Sequence, residues 1–277
     1  MYDSLKSTVK LHNGVKMPIM GFGVWRIEDG PEVETAVKHA IDAGYRSIDT
    51  AAAYGNEDGV GNAIRDSDIP RDELFITSKV WNRNQGYDKT LRGFQSSMEK
   101  LKLDVLDLYL IHWPLEGTVK DTWRAMEELY EQGRIRAIGV CNFHKDHMED
   151  LLQDARVTPM VNQVEFHPLL TQDDLRKYSK SKGIQFEAWS PLMQGNLDLP
   201  IINQLGEKYG KTPAQIVLRW DIQHGVVTIP KSVRQDRIVE NADIFDFELS
   251  GDDMKAINDQ NENRRFGPDP DNFEFGR

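Results

Sequence analysis

The chain has 277 residues, 39% of them hydrophobic and 29% charged, with a mean hydropathy of −0.57. That is enough apolar material for one α/β barrel or two smaller domains, but no run approaches the ~20 apolar residues of a membrane-spanning helix. Forty-five acidic against 34 basic side chains leave a net charge of −11, which disfavours a nucleic-acid partner, and the single cysteine, Cys141, excludes an internal disulfide framework or a cysteine-based zinc site.

The opening MYDSLKSTVK lacks the ~7–15 apolar residues of a secretory signal, so a cytoplasmic protein is expected. TVKLHNGVKMP (8–18), with Asn13-Gly14 between short apolar runs, predicts a β-hairpin able to plug the bottom of a barrel. Eight β-branched or apolar runs follow: MGFGVW (20–25), YRSIDT (45–50), LFITSKV (74–80), LDLYLIH (106–112), IRAIGVCN (135–142), MVNQVEF (160–166), IQFEAWS (184–190) and VVTIPKS (226–232). Between them, sets such as Val33, Ala36, Val37, Ala40, Ile41 and Leu91, Phe94, Met98, Leu101 repeat at helical spacing. Gly44, Gly133, Gly183 and Gly225 stand where helices should end. Thr212-Pro213 with Gln215, Thr171 with Asp174, and Ser250 with Asp253 read as helix starts. An extra helix is expected over 250–261, then an irregular tail, RRFGPDPDNFEFGR. No linker divides the chain, so residues 1–277 read as one domain. The alternating units predict a (β/α)8 TIM barrel with its site at the C-terminal strand ends; a doubly wound open sheet is the alternative.

Common fingerprints fail. Gly21 and Gly23 are followed at the third position by Arg26, so the Rossmann signature is absent, and Gly206 to Thr212 is one residue too short for a phosphate loop. His144 and His147 share a predicted helix face near Glu149 and Asp150, a pattern more often solvated surface than ligand set, and no metal is expected. Polar residues do gather at strand ends: Asp49 ends the second strand, Tyr54 follows in its loop, Lys79 ends the third and His112 the fourth. Taken singly, each has a structural alternative: an N-cap or ion pair for Asp49, a snorkelling Lys79, a packed Tyr54, a satisfied core His112. Four from neighbouring strands converging on one mouth favour catalysis.

GFGVW, DTAAAYGNE, ITSKVW, LYLIHWP, GVCNF, NQVEFHP, AWSPL and IPKSVRQDRIVEN make the sequence, from about residue 8 to the tail, resemble the aldo-keto reductase family, and most of all its short prokaryotic 2,5-diketo-gluconate reductase-like members. The resemblance implies an NADPH-dependent reductase of small aldehydes and ketones. Its catalytic tetrad would be Asp49, Tyr54, Lys79 and His112, with Tyr54 as general acid, its pKa lowered by Lys79, and Trp25, Trp81 and Trp113 walling the substrate pocket. It further assigns the nicotinamide carboxamide to Cys141, Asn142 and Gln163, ring stacking to Trp189, the pyrophosphate to Ser190 and Leu192, the adenosine phosphate to Lys231, Ser232, Val233 and Arg237, and the adenine to Glu240 and Asn241. Cys141 departs from the serine of many relatives. The short loop from Trp113 to Thr118 leaves that side of the pocket open, and Phe273 and Phe275 are candidates for tail contacts. A monomer is expected. The competing classes are an NADPH-binding regulatory or sensor barrel with slow turnover and a phosphate-binding barrel isomerase or hydrolase.

Overall fold

A computed structural model describes residues 2–273 of the chain. The predicted hairpin forms from β1 (Thr8–Lys10) and β2 (Lys16–Pro18), antiparallel, with Val9 opposite Met17. All eight predicted strands follow as one parallel sheet in chain order: β3 (Phe22–Gly23), β4 (Ser47–Asp49), β5 (Phe75–Val80), β6 (Leu106–Ile111), β7 (Ile135–Cys141), β8 (Val161–Glu165), β9 (Gln185–Trp189) and β10 (Val227–Thr228). First and last strands meet. Gly21 N–H donates to the Thr228 carbonyl at 2.9 Å, Thr228 N–H to that of Ile19 at 3.1 Å, and Gly23 N–H to that of Pro230 at 3.1 Å. The sheet is therefore a closed (β/α)8 barrel and not the open, doubly wound alternative.

β5 and β6 are buried along their whole length, as parallel strands covered on both faces are. At Gly139 a Cβ would lie 2.5 Å from the Val161 carbonyl oxygen and 2.8 Å from Leu110 Cδ2, so β7 approaches its neighbours where only hydrogen fits. The helices are α1 (Pro31–Asp42), α2 (Glu57–Arg65), α3 (Tyr87–Leu101), α4 (Val119–Glu131), α5 (Lys145–Leu152), α6 (Asp173–Ser181), α7 (Pro200–Tyr209), α8 (Pro213–Gln223), α9 (Gln235–Ala242) and α10 (Gly251–Asn258). The predicted stripes are the buried ones: Val33, Ala36, Val37, Ala40 and Ile41 on α1, and Phe94, Met98 and Leu101 on α3, with Leu91 half-buried beside them.

Gly44, Gly133, Gly183 and Gly225 all take positive φ past helix ends, between 70° and 102°. The capping boxes at Thr212 and Ser250 form, but the one expected at Thr171 does not. Thr171 is buried, its N–H donating to Asn261 Oδ1 and its carbonyl accepting from Arg176 Nε. The chain then turns through Gln172 in the left-handed region, so α6 starts at Asp173 without a side-chain cap. The hairpin lies under the barrel: Asn13 donates to the Arg136 carbonyl and His12 bonds the Thr158 carbonyl, both near the N-terminal ends of strands, while Val9, Leu11 and Met17 join the core. At the opposite end the described part of the tail after α10, as far as residue 273, crosses the strand tips and is irregular apart from one 3-10 turn, Pro270–Asn272.

Candidate active site

β4 ends at Asp49, β5 carries Lys79 as its penultimate residue, and His112 follows directly on β6. Tyr54 closes a short 3-10 turn, Ala52–Tyr54, which Gly55 ends in the left-handed conformation, swinging the phenol back over the barrel. The fold thus brings the four polar residues together. Lys79 Nζ donates to Asp49 Oδ1 at 2.6 Å, to the Thr50 carbonyl at 2.9 Å and to the Tyr54 hydroxyl at 3.3 Å. Lys79 is wholly buried and its ammonium sits 5.0 Å from the Tyr54 ring centroid. The His112 ring stands edge-on to Tyr54 at 5.8 Å, and its Nδ1 is buried without a hydrogen-bond partner among the described residues.

Electrostatics order these groups. Burial opposes the charge on Lys79, but Asp49 and Tyr54 outweigh it and hold the ammonium above its ordinary range. Burial and the Lys79 charge together push His112 well below its ordinary value, so the imidazole is neutral. For Tyr54 burial is the stronger influence and holds the phenol above its usual value, although Lys79 pulls it down as the sequence led us to expect.

The second predicted group is contiguous with the first. Cys141, Gln163 and Glu187 are register partners across β7, β8 and β9. Gln163 Nε2 donates to Asp49 Oδ2 at 2.8 Å. Asn142, with φ of 65°, donates from Nδ2 to the His112 carbonyl at 3.0 Å and to Cys141 Sγ at 3.2 Å, while its Oδ1 accepts from Trp189 Nε1 at 2.8 Å. Ser190, also left-handed at 49°, and half-buried Leu192 lead away from Trp189. Two non-glycine residues at positive φ, one after β7 and one after β9 on either side of β8, are the kind of backbone strain that gathers at functional sites.

The remaining predicted residues form a separate edge after β10. Lys231, Val233 and Arg237 are exposed, Ser232 is buried, and Lys231 and Arg237 carry no ion pair among the described residues. Arg234, a third cation of this cluster, is paired with Asp236. Glu240 accepts from Thr212 Oγ1 at 3.0 Å, and Asn241 is buried beneath it.

Trp25 is 41% exposed at the mouth with Arg26 over its ring, Trp81 packs edge-on to His112, and Trp113 lies parallel to His112. The expected opening beside Trp113 is not there: Phe273 from the tail stacks on its indole, centroids 3.7 Å apart, and Trp113 is buried. Phe275 lies outside the described residues. Gly267 presses on Trp189 so closely that a Cβ would lie 2.3 Å from the ring, and Glu165 Oε1 accepts from the Phe266 N–H at 2.6 Å.

Glu165 and Glu187 were not singled out from sequence. For Glu187 a signal existed: an acid two residues before Trp189 falls on the same side of a strand as that ring. One His/carboxylate group has metal-like spacing among the described residues, His144, His147 and Asp271, with ligand atoms within 4.8 Å. Arg265 donates to His144 Nε2 at 2.9 Å, leaving the ring proton on Nδ1, where Asp271 accepts it at 2.9 Å. The lone pair a cation would need is thereby used, and the group ties the tail to α5.

Comparison with known proteins gives the same picture. The chain is 62% identical over 276 residues to the glyoxal reductase of Bacillus subtilis, covering 99% of this chain and 100% of that one. It is 46% identical over 272 residues to the methylglyoxal reductase DkgA of Escherichia coli, covering 96% and 98%. A crystal structure of a Gox0644 mutant in complex with NADPH superposes with a TM-score of 0.91 at 44% identity, covering 97% of this chain and 99% of that one. Residues 19–262 match the aldo/keto reductase family, a span that takes in all eight barrel strands and every member of the Asp49, Tyr54, Lys79 and His112 group, so the chain belongs to that family.

Proposed function

We propose that the chain, acting as one domain over residues 1–277, is an NADPH-dependent reductase of small carbonyl compounds, 2-oxoaldehydes foremost, with Tyr54 as general acid. The observation that carries this reading is the Tyr54 hydroxyl held 3.3 Å from a buried ammonium that is itself 2.6 Å from a carboxylate. NADPH, when bound, supplies the hydride. Tyr54 then gives its proton to the substrate oxygen, and a phenol above its ordinary pKa stays protonated at neutral pH until that moment. Lys79 stabilises the phenolate left behind, in a dry site where a fixed charge acts strongly. Asp49 keeps the lysine charged and aimed. His112, neutral, orients the substrate oxygen by a hydrogen bond from its ring, and Trp25, Trp81 and Trp113 bound the space around it.

The residues fit the cofactor on three counts. The Gln163 amide leaves its oxygen facing Cys141 beside Asn142, which suits a carboxamide. Trp189 offers an indole braced by Asn142 for stacking, with Ser190 and Leu192 leading on along the pyrophosphate. Lys231 and Arg237, uncompensated in a chain of net charge −11, with Ser232 and Val233, suit the adenosine phosphate, and Glu240 and Asn241 border the adenine. The names of the bacterial relatives favour dicarbonyl substrates, and the Phe273 roof over Trp113 favours small ones. The test is loss of NADPH absorbance with glyoxal, methylglyoxal, aromatic aldehydes, aldoses and keto-acids. Highest kcat/KM for the 2-oxoaldehydes is expected. Cofactor binding with no turnover across the panel would replace this reading with that of a sensor barrel.

A further inference from the structure

Glu187 is an acid where a barrel layer ordinarily holds an apolar side chain. It lies in the interior row Cys141, Gln163, Glu187, Val227, one residue from each of four adjacent strands, and is 1% exposed. Among the described residues no cation pairs with it directly. Its Oε2 accepts a hydrogen from Gln163 Nε2 at 3.0 Å, while Asp49 Oδ2 accepts from the same nitrogen at 2.8 Å. An amide nitrogen has two hydrogens, and here both are committed. Turning the amide over would set its oxygen against the Asp49 carboxylate and take its nitrogen away from both acceptors. The oxygen therefore stays on the other side, where its neighbour is the weakly donating thiol of Cys141 at 3.7 Å.

We propose that Glu187 is a cofactor-positioning residue: with Asp49 it clamps the Gln163 amide so that the oxygen alone is presented to the nicotinamide carboxamide, selecting the carboxamide's NH2 group. The inference rests on the NADPH reading above and assigns a role to a residue outside the tetrad. The cost of keeping this acid supports it. Burial, with Asp49 adding to it, pushes the Glu187 carboxyl up to about 8 against the pull of Gln163 and Lys79, a penalty that an aliphatic side chain in the same place would not incur.

The experiment compares NADPH with its reduced 3-acetylpyridine analogue, in which a methyl group replaces the carboxamide NH2. Dissociation constants are read from quenching of tryptophan fluorescence in the full chain and in Glu187→Met and Glu187→Gln. The parent should prefer NADPH. Glu187→Met should lose most of that preference by weakening NADPH about three- to tenfold, the worth of one hydrogen bond, with the analogue little changed. Glu187→Gln, whose carbonyl accepts the same hydrogen, should retain the preference. If Glu187→Met does not fold, Glu187→Val, smaller and suited to a strand, carries the same readout. Equal weakening of both cofactors, a preference that survives in the apolar variant, or a parent with no preference would each overturn the inference. A parent that binds neither cofactor would overturn the NADPH reading and this inference with it.

Discussion

Tyr54 and Lys79 are neighbours with different liabilities. The Tyr54 hydroxyl touches Lys79 and leaves part of the ring open to the mouth, so Tyr54→Phe removes a proton donor and little packing. Reduction should fall about 10²- to 10⁴-fold, with the melting temperature and the NADPH dissociation constant close to the parent's. Near-normal turnover in that variant would remove Tyr54 from its role. Lys79→Met should lose a comparable rate and, in addition, stability. It strips the cation from a buried Asp49, and breaking a buried pair from one side costs about 3–5 kcal/mol. Urea denaturation of the two variants separates them, since only the lysine variant should shift.

At the scale of the element, the turn from β10 into α9 concentrates three exposed cations, Lys231, Arg234 and Arg237. Arg234 is spent on Asp236, whereas Lys231 and Arg237 have no ion pair among the described residues. Arg237→Ala should weaken NADPH about tenfold or more and NADH much less, because charge-assisted hydrogen bonds to the 2′-phosphate contribute about 1.5–3 kcal/mol. Fluorescence titration of both cofactors checks it, and equal losses would refute the phosphate assignment. The same element shows what was legible in sequence. Strand identity was, because apolar runs and the glycines after helices recur along the chain. Strand length was not: β3 and β10 are two residues each, since the rest of their predicted runs bonds across the barrel closure outside a regular ladder. The clustering of Asp49, Tyr54, Lys79 and His112 was legible because they stand at or just after successive strand ends. Glu187 and the partner of Phe273, Trp113, were not, because one depends on register across three strands and the other on where an irregular tail comes to rest. The Thr171 cap failed for a related reason, its backbone being held by Asn261 and Arg176, far along the chain or across a turn.

For the whole molecule, two buried acids, Glu187 and Asp221, each pull stability down as pH rises. Glu187 titrates near its ordinary 4.5 in the unfolded chain and near 8 in the folded one. The folded state holds a proton that the unfolded state releases, so this contribution is complete below pH 4.5 and is lost as pH rises through 8. Asp221, buried and likewise raised, acts in the same direction. Glu187→Gln, which cannot ionise, should make the decline shallower; urea midpoints at pH 5 and pH 8 test this, and an unchanged slope would assign the decline to other groups. The barrel closure has a consequence of its own for how the cylinder comes apart. β6 and β7 pair at Leu106 and from Leu108 to Ile111, whereas β10 and β3 are joined by the amides of Gly21, Gly23 and Thr228 alone among the described residues. A ring opens at its thinnest stitch. Native-state hydrogen exchange should find those three amides released by a fluctuation smaller than global unfolding, and the amides of Tyr109 and Leu110 only by the global event, so that the protein first unrolls into a curved sheet along that seam.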